Sequence, residues 1–189
     1  MPARIAAAPS GIANDPHLEI YPKVLAVDKD GRVWGWGRNN YGQVGNASLS
    51  HQLTPARLRD FGKAVAIDAS RYHSIALTED GRAWTWGYNN SGQLGDGTRQ
   101  WQWTPQPVTG LTDIALVAAG VQNSAAVTTD GEIWIWGKNS DGQLGIGTTV
   151  DQLTPAQVPG ISGVTAIECG WNFTVVDKIK SACLPPADR

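Results

Sequence analysis

The sequence predicts an all-β chain: a partial or oligomer-completed β-propeller whose four-stranded blades each take about 50 residues. Three observations predict it. The segment 30–45, DGRVWGWGRNNYGQVG, returns as DGRAWTWGYNNSGQLG at 80–95 and as DGEIWIWGKNSDGQLG at 130–145. A Thr-Pro pair follows each time, at Thr54-Pro55, Thr104-Pro105 and Thr154-Pro155, with no insertion or deletion between copies. No segment sustains a 3.6-residue apolar period for even three turns, so helices are not expected. A period held this regularly marks one supersecondary unit stacked on copies of itself. Whatever the copies share is then scaffold, and function is to be sought where they differ.

Taken in order, residues 1–16 read as an irregular N-terminus, and the repeats occupy 17–177. Copies lie near 17–63, 64–113 and 114–163, with a partial one at 164–177 and a tail at 178–189. Before the first signature only Val24–Val27 makes a convincing strand, and residues 15–20 do not match the repeat. The first blade is therefore expected to lack its inner strand. The second copy is the clearest. AVAIDAS, from Ala64, and His73–Thr78 both alternate apolar with small or polar residues, as strands do. Asp80-Gly81 then supplies a tight hairpin, since both residue types tolerate positive φ. Arg82–Gly87 forms a third strand with Trp84 and Trp86 on one face, by the two-residue period. A long loop follows, and Thr104–Val108 gives a fourth strand that its proline confines to an edge. The last copy offers an inner strand at Val164–Cys169 and a second strand, after which no Asp-Gly turn comes.

The columns shared by the copies are assigned to structure: Trp36, Trp86 and Trp136 between blades, Gly37, Gly87 and Gly137 for special backbone angles, and Gln43, Gln93 and Gln143 to satisfy loop backbone. The Asn-x-x-Gly-Gln-x-Gly run lacks the Lys-Ser/Thr and following helix of a phosphate loop. Trp103, replacing Leu53 and Leu153, is read as core.

Composition excludes several functions. A net charge of −2 and a pI near 5.9 offer no basic field for a phosphate backbone, so no nucleic-acid partner is expected. No apolar run approaches the ~20 residues of a membrane span, and no signal peptide is evident. The expectation is a soluble, cytoplasmic protein, or a secreted one if the true N-terminus lies upstream of Met1. The two cysteines, Cys169 and Cys183, lack metal spacing, and their bridging stays open. His17, His51 and His73 fall at three different repeat positions, and no nucleophile–base pair or metal triad can be assembled. Neither an enzyme nor a cofactor or metal site is expected.

With Trp86–Gly95, Thr104-Pro105 and Ser70–Ser74 as they stand, the chain resembles the regulator of chromosome condensation repeat family over roughly residues 23–177. That resemblance implies a seven-bladed ring, of which about three repeats occur here. It also implies functions ranging from nucleotide exchange on the small GTPase Ran, through ubiquitin-ligase and ciliary adaptors, to secreted enzyme inhibitors. In the family, exchange depends on a wedge inserted into one blade. The unbroken period between Asp30 and Pro155 leaves no room for it.

Where the copies differ, bulky residues collect on one expected face. The loop between strands one and two reads Arg71-Tyr72, Val121-Gln122 and Trp171-Asn172. After each Trp-Gly stand Arg38, Tyr88 and Lys138, and Tyr41 follows in the first copy. Arg99 and Trp101 occupy the long loop of the second. Tyr, Trp and Arg are the types enriched at interface hot spots. The sequence reading is thus a non-enzymatic module that binds another protein through Arg38, Tyr41, Arg71, Tyr72, Tyr88, Arg99, Trp101, Lys138 and Trp171. Its alternatives are exchange on a small GTPase and inhibitor-like binding to a secreted enzyme. The three-blade count reads first as a fragment of a longer propeller or an open arc; the alternative is self-association to complete a propeller, with each copy donating its spare strand at Val164–Cys169 into the partner's incomplete first blade.

Overall fold

A computed structural model describes residues 4–7, 22–59, 61–170 and 174–177. Their regular structure is all strand, arranged in three four-stranded antiparallel sheets and one two-stranded sheet. The first sheet holds β1 (Arg4–Ala7), β2 (Lys23–Val27), β3 (Val33–Gly37) and β4 (Gln52–Arg57) in that order. The second runs β5 (Ala64–Ala69), β6 (His73–Thr78), β7 (Ala83–Gly87), β8 (Gln102–Pro107). The third repeats this with β9 (Ile114–Ala119), β10 (Asn123–Thr128), β11 (Ile133–Gly137) and β12 (Gln152–Gln157). β13 (Ala166–Cys169) and β14 (Thr174–Asp177) form the fourth sheet. Pro105 sits in β8 at the sheet edge, where a missing N–H interrupts no ladder.

Each sheet is a blade, and apolar residues join blade to blade. In β6, successive side chains point to opposite faces. Ala76 joins Trp84 and Trp86 against Leu25, Val27 and Val33 of the first blade. Ile75, Leu77 and Ala83, on the other face, meet Ala126, Trp134 and Trp136 of the third. All six residues of β6 are therefore buried. Backbone bonds repeat the same joint: Ala64 N–H donates to Gly31 O, Ile114 N–H to Gly81 O and Val164 N–H to Gly131 O. The inner strands β1, β5, β9 and β13 lie side by side, and β5, β9 and β13 border an open cleft of about 580 Å³.

Three expectations are corrected here. The first blade does have an inner strand, because Arg4–Ala7 pairs with Val24–Val27 in antiparallel register. The short RIAA run lies far upstream of the repeat position, so a fixed-period comparison passes over it. The vacancy that reciprocal strand donation requires is thereby filled within the chain. The last inner strand begins at Ala166 rather than at Val164. Trp103 is not core: it is 46% exposed and lies across Gly42 of the preceding blade, where a Cβ would come within 2.8 Å of its ring. Cys183, and with it the question of a bridge, lies outside the described residues.

Candidate functional site

Each long loop after the Trp-Gly pair is shaped by an Asn and a Gln amide, both of them buried in the first two blades. Asn89 accepts the Leu94 N–H through Oδ1 at 2.9 Å, and its Nδ2 donates to Gln100 O at 3.0 Å and Thr98 O at 3.1 Å. Gln93 Oε1 accepts the Ser91 N–H at 2.9 Å. Asn39 with Gln43, and Asn139 with Gln143, make the corresponding bonds. The glycines admit a backbone that other residues resist: Gly87 has φ +109°, and a Cβ on it would stand 2.6 Å from Tyr72 O. Trp86 and Trp136 are fully buried, with indole N–H groups donating to Gln43 O and Gln93 O at 3.0 and 2.9 Å. Trp36, Gly37 and Gln143 are half-buried, while Gly137 is buried.

On this frame the variable residues of two blades converge. Tyr41, from the first blade, makes edge contacts with Tyr72, Tyr88 and Trp101 at centroid distances of 5.5, 5.1 and 5.2 Å. Tyr72 and Trp101 each flank Tyr88, at 5.6 and 5.4 Å. The guanidinium of Arg71 lies 5.2 Å above the Tyr72 ring. The three tyrosines are half-buried and Trp101 is 37% exposed, so the group is a continuous aromatic surface with little hidden volume.

Trp101 is held by its Nε1–H, which donates to Asn90 Oδ1 at 2.7 Å. Arg99 donates to Asn90 O and pairs with Asp151 Oδ2 of the next blade at 3.2 Å. Asp151 in turn accepts the Asn139 N–H at 2.9 Å. Arg38 and Lys138 are half-buried on the same turn as Tyr88 in their own blades. Trp171 lies outside the described residues. Asn90 and Asp151 escape the sequence reading. Asn90 matches Asn40 and so passes for scaffold, while Asp151 differs between copies but lacks the aromatic signature used to choose residues.

Beneath the face runs a buried polar column at successive repeat positions. Lys23 donates through Nζ to His73 O at 2.7 Å and to Ser74 Oγ, and His73 Nε2 lies 2.7 Å from Ser124 Oγ. Burial lowers the Lys23 ammonium to about 7, partly opposed by the Asp68 carboxylate. Burial, with Lys23 nearby, lowers His73 to about 3. The same cause raises the Cys169 thiol to about 11, leaving it a poor nucleophile. Among the described residues no group of three or more His, Cys, Asp or Glu is placed to hold a metal ion. No helix among them is long and apolar enough to cross a membrane.

Comparison with known families matches the regulator of chromosome condensation (RCC1) repeat to residues 30–77, 80–127 and 130–176. A second description of the same repeat matches 64–93 and 114–143. The chain is 34% identical over 56 residues to a zebrafish RCC2 homolog, covering 29% of this chain and 11% of the relative. Among solved structures, human WBSCR16 is 30% identical with a TM-score of 0.73, covering 82% of this chain and 42% of that one. Prp20p of Saccharomyces cerevisiae, described with its binding properties to Gsp1p and histones, is 23% identical with a TM-score of 0.75 over 84% of this chain and 42% of that one. The chain thus spans less than half the length of these relatives.

Proposed function

The chain belongs to the regulator of chromosome condensation (RCC1) repeat family, and we propose that it acts without catalysis, docking another protein on the loop face of its first two blades. The observation that carries this reading is the joining of Tyr41 to Tyr72, Tyr88 and Trp101 across a blade boundary. These side chains stand at positions where the copies differ, so stacking the repeats does not account for them. Broad aromatic groups desolvate at low entropic cost and fit the centre of an interface. Arg71, stacked on Tyr72 at the margin, favours a partner surface that combines apolar with acidic groups.

Exchange on a small GTPase is the second reading, favoured by the family and by the likeness to Prp20p, which at its level of identity shares only the fold. Quantitative affinity capture from the source organism, with unmodified chain beside Trp101→Ala and Tyr88→Ala, tests the proposal. At least one protein should be retained by the unmodified chain and lost about tenfold or more from both variants. Identical retention by all three would overturn the assignment of the face. Nucleotide release from a panel of small GTPases should stay at its intrinsic rate, and stimulated release would establish the second reading instead.

A further inference from the structure

The surface formed by Tyr41, Tyr72, Tyr88 and Trp101 has a narrower chemistry than a general apolar patch. Tyr72 and Trp101 flank Tyr88 with their rings tilted to it by 43° and 44°. Tyr41 abuts all three nearly edge-on, at interplanar angles of 78°, 67° and 83°, and closes the space between them. Rings packed this closely leave little room for a long aliphatic side chain to enter. What a partner meets is ring surface already held in place. Trp101 spends its Nε1–H on Asn90 Oδ1, so it contributes its ring rather than a donor.

The remaining polar groups here are available as donors. Among the described residues the hydroxyls of Tyr41, Tyr72 and Tyr88 have no hydrogen-bond partner. Arg71, stacked on Tyr72, is in no ion pair among them, whereas Arg99 at the Trp101 end is neutralised by Asp151. The surface is thus aromatic and donating, with its one uncompensated charge at the Tyr72 end. A helical partner spends its carbonyls internally and needs a groove for its apolar stripe, and a strand needs an unpaired sheet edge. A polyproline II segment needs neither. It makes no internal hydrogen bonds, its carbonyls all point outward as acceptors, and its prolines have no N–H to satisfy. Rising about 3.1 Å per residue, three or four of its residues span the rings from Tyr72 past Tyr88 to Trp101. Because that conformation is largely preformed, such a segment loses little entropy on a shallow surface.

We propose that this face binds a proline-rich segment of another protein in the polyproline II conformation, with an acidic residue at the end that meets Arg71. The inference rests on the reading of the face as a docking surface and names the chemistry of what docks. Proline rings lie over Tyr88 and Trp101, the tyrosine hydroxyls donate to carbonyls of the segment, and Arg71 pairs with the acidic residue.

The probe is the dye-labelled peptide EDPPPPPP, titrated with the full chain and followed by fluorescence anisotropy. Saturable binding is expected, weakened about tenfold or more by Trp101→Ala and by Tyr88→Ala. The peptide EDGSGSGS, which keeps the charge and loses the conformation, should not bind. Arg71→Glu should transfer the preference from EDPPPPPP to KKPPPPPP. No saturable binding of EDPPPPPP, binding indifferent to both ring removals, or an unchanged charge preference in Arg71→Glu would overturn the proposal. Three further results would overturn it by naming another occupant. They are tighter binding of a uridine decamer, a dimer of the chain that Trp101→Ala dissolves, and peptide binding that appears only once a Gly-Ser linker replaces residues 8–21. If a captured protein is lost from Trp101→Ala and Tyr88→Ala while the peptide does not bind, this inference fails and the docking reading stands.

Discussion

Lys23 and His73 show how far a single residue can depart from the rule that charges stay outside. Both are fully buried, and burial holds each below its ordinary value, Lys23 at about 7 instead of 10.5 and His73 at about 3 instead of 6.5. In each case the unfolded chain binds more protons than the folded one between the two values, so stability rises with pH across that window. Lys23 contributes between about pH 7 and 10.5, His73 between about pH 3 and 6.5. The unfolding free energy should rise by about 2 kcal/mol between pH 7 and 9 from Lys23 alone. Urea titrations at the two pH values check this, with Lys23→Met as the reference. The rise should vanish in the variant, and an equal rise in both would show that Lys23 does not titrate there. Lys23 does not announce itself in the sequence, whereas His73 falls in the Ser70–Ser74 segment that carries the family resemblance. Lys23, His73 and Asn123 share a repeat position but no chemistry, and their burial follows only from the blades stacked on both sides.

At the scale of the element, the long loop is what turns repeat scaffold into a shaped face. Asn89 closes it from inside through three hydrogen bonds to backbone, all from a fully buried side chain. Asn89→Ala leaves the Leu94 N–H and two carbonyls without that partner, at a cost of about 2–3 kcal/mol. Amide hydrogen exchange should show Leu94 losing protection together with residues 98–101, and unchanged protection would refute this role. Much of the strand pattern was legible because the two-residue period and the Asp-Gly turns are local signals. β6, β7, β10 and β11 fall where these place them. β1 was not legible, since four residues remote from the repeat position find their partner only in space. Trp103 misled for a related reason. Its apolar column lies over a glycine of the neighbouring blade, covered on one side and open on the other. The convergence of Tyr41 with Tyr72, Tyr88 and Trp101 could be anticipated from loop order. The part played by Asn90 could not, because sharing a residue with another copy does not confine it to the same task.

For the molecule as a whole, stability resides in joints between blades, and the variable loops carry the proposed recognition. The joint is the same structure made twice over, with Trp86 on Gln43 and Trp136 on Gln93. In solenoid-like assemblies stability is approximately a sum of unit and nearest-neighbour contributions, so removing one joint should lower it directly. Two tryptophans of the second blade separate the two roles. Trp86 is 0% exposed and packs against Leu25 and Val33, whereas Trp101 is 37% exposed on the loop face. The most direct measurement is a pair of denaturant titrations, Trp86→Ala beside Trp101→Ala. Trp86→Ala should lose about 3–5 kcal/mol, as large buried aromatic truncations do, and Trp101→Ala less than about 1 kcal/mol, as exposed positions do. Equal losses at the two sites would contradict the division of this chain into recurring joints and a variable face.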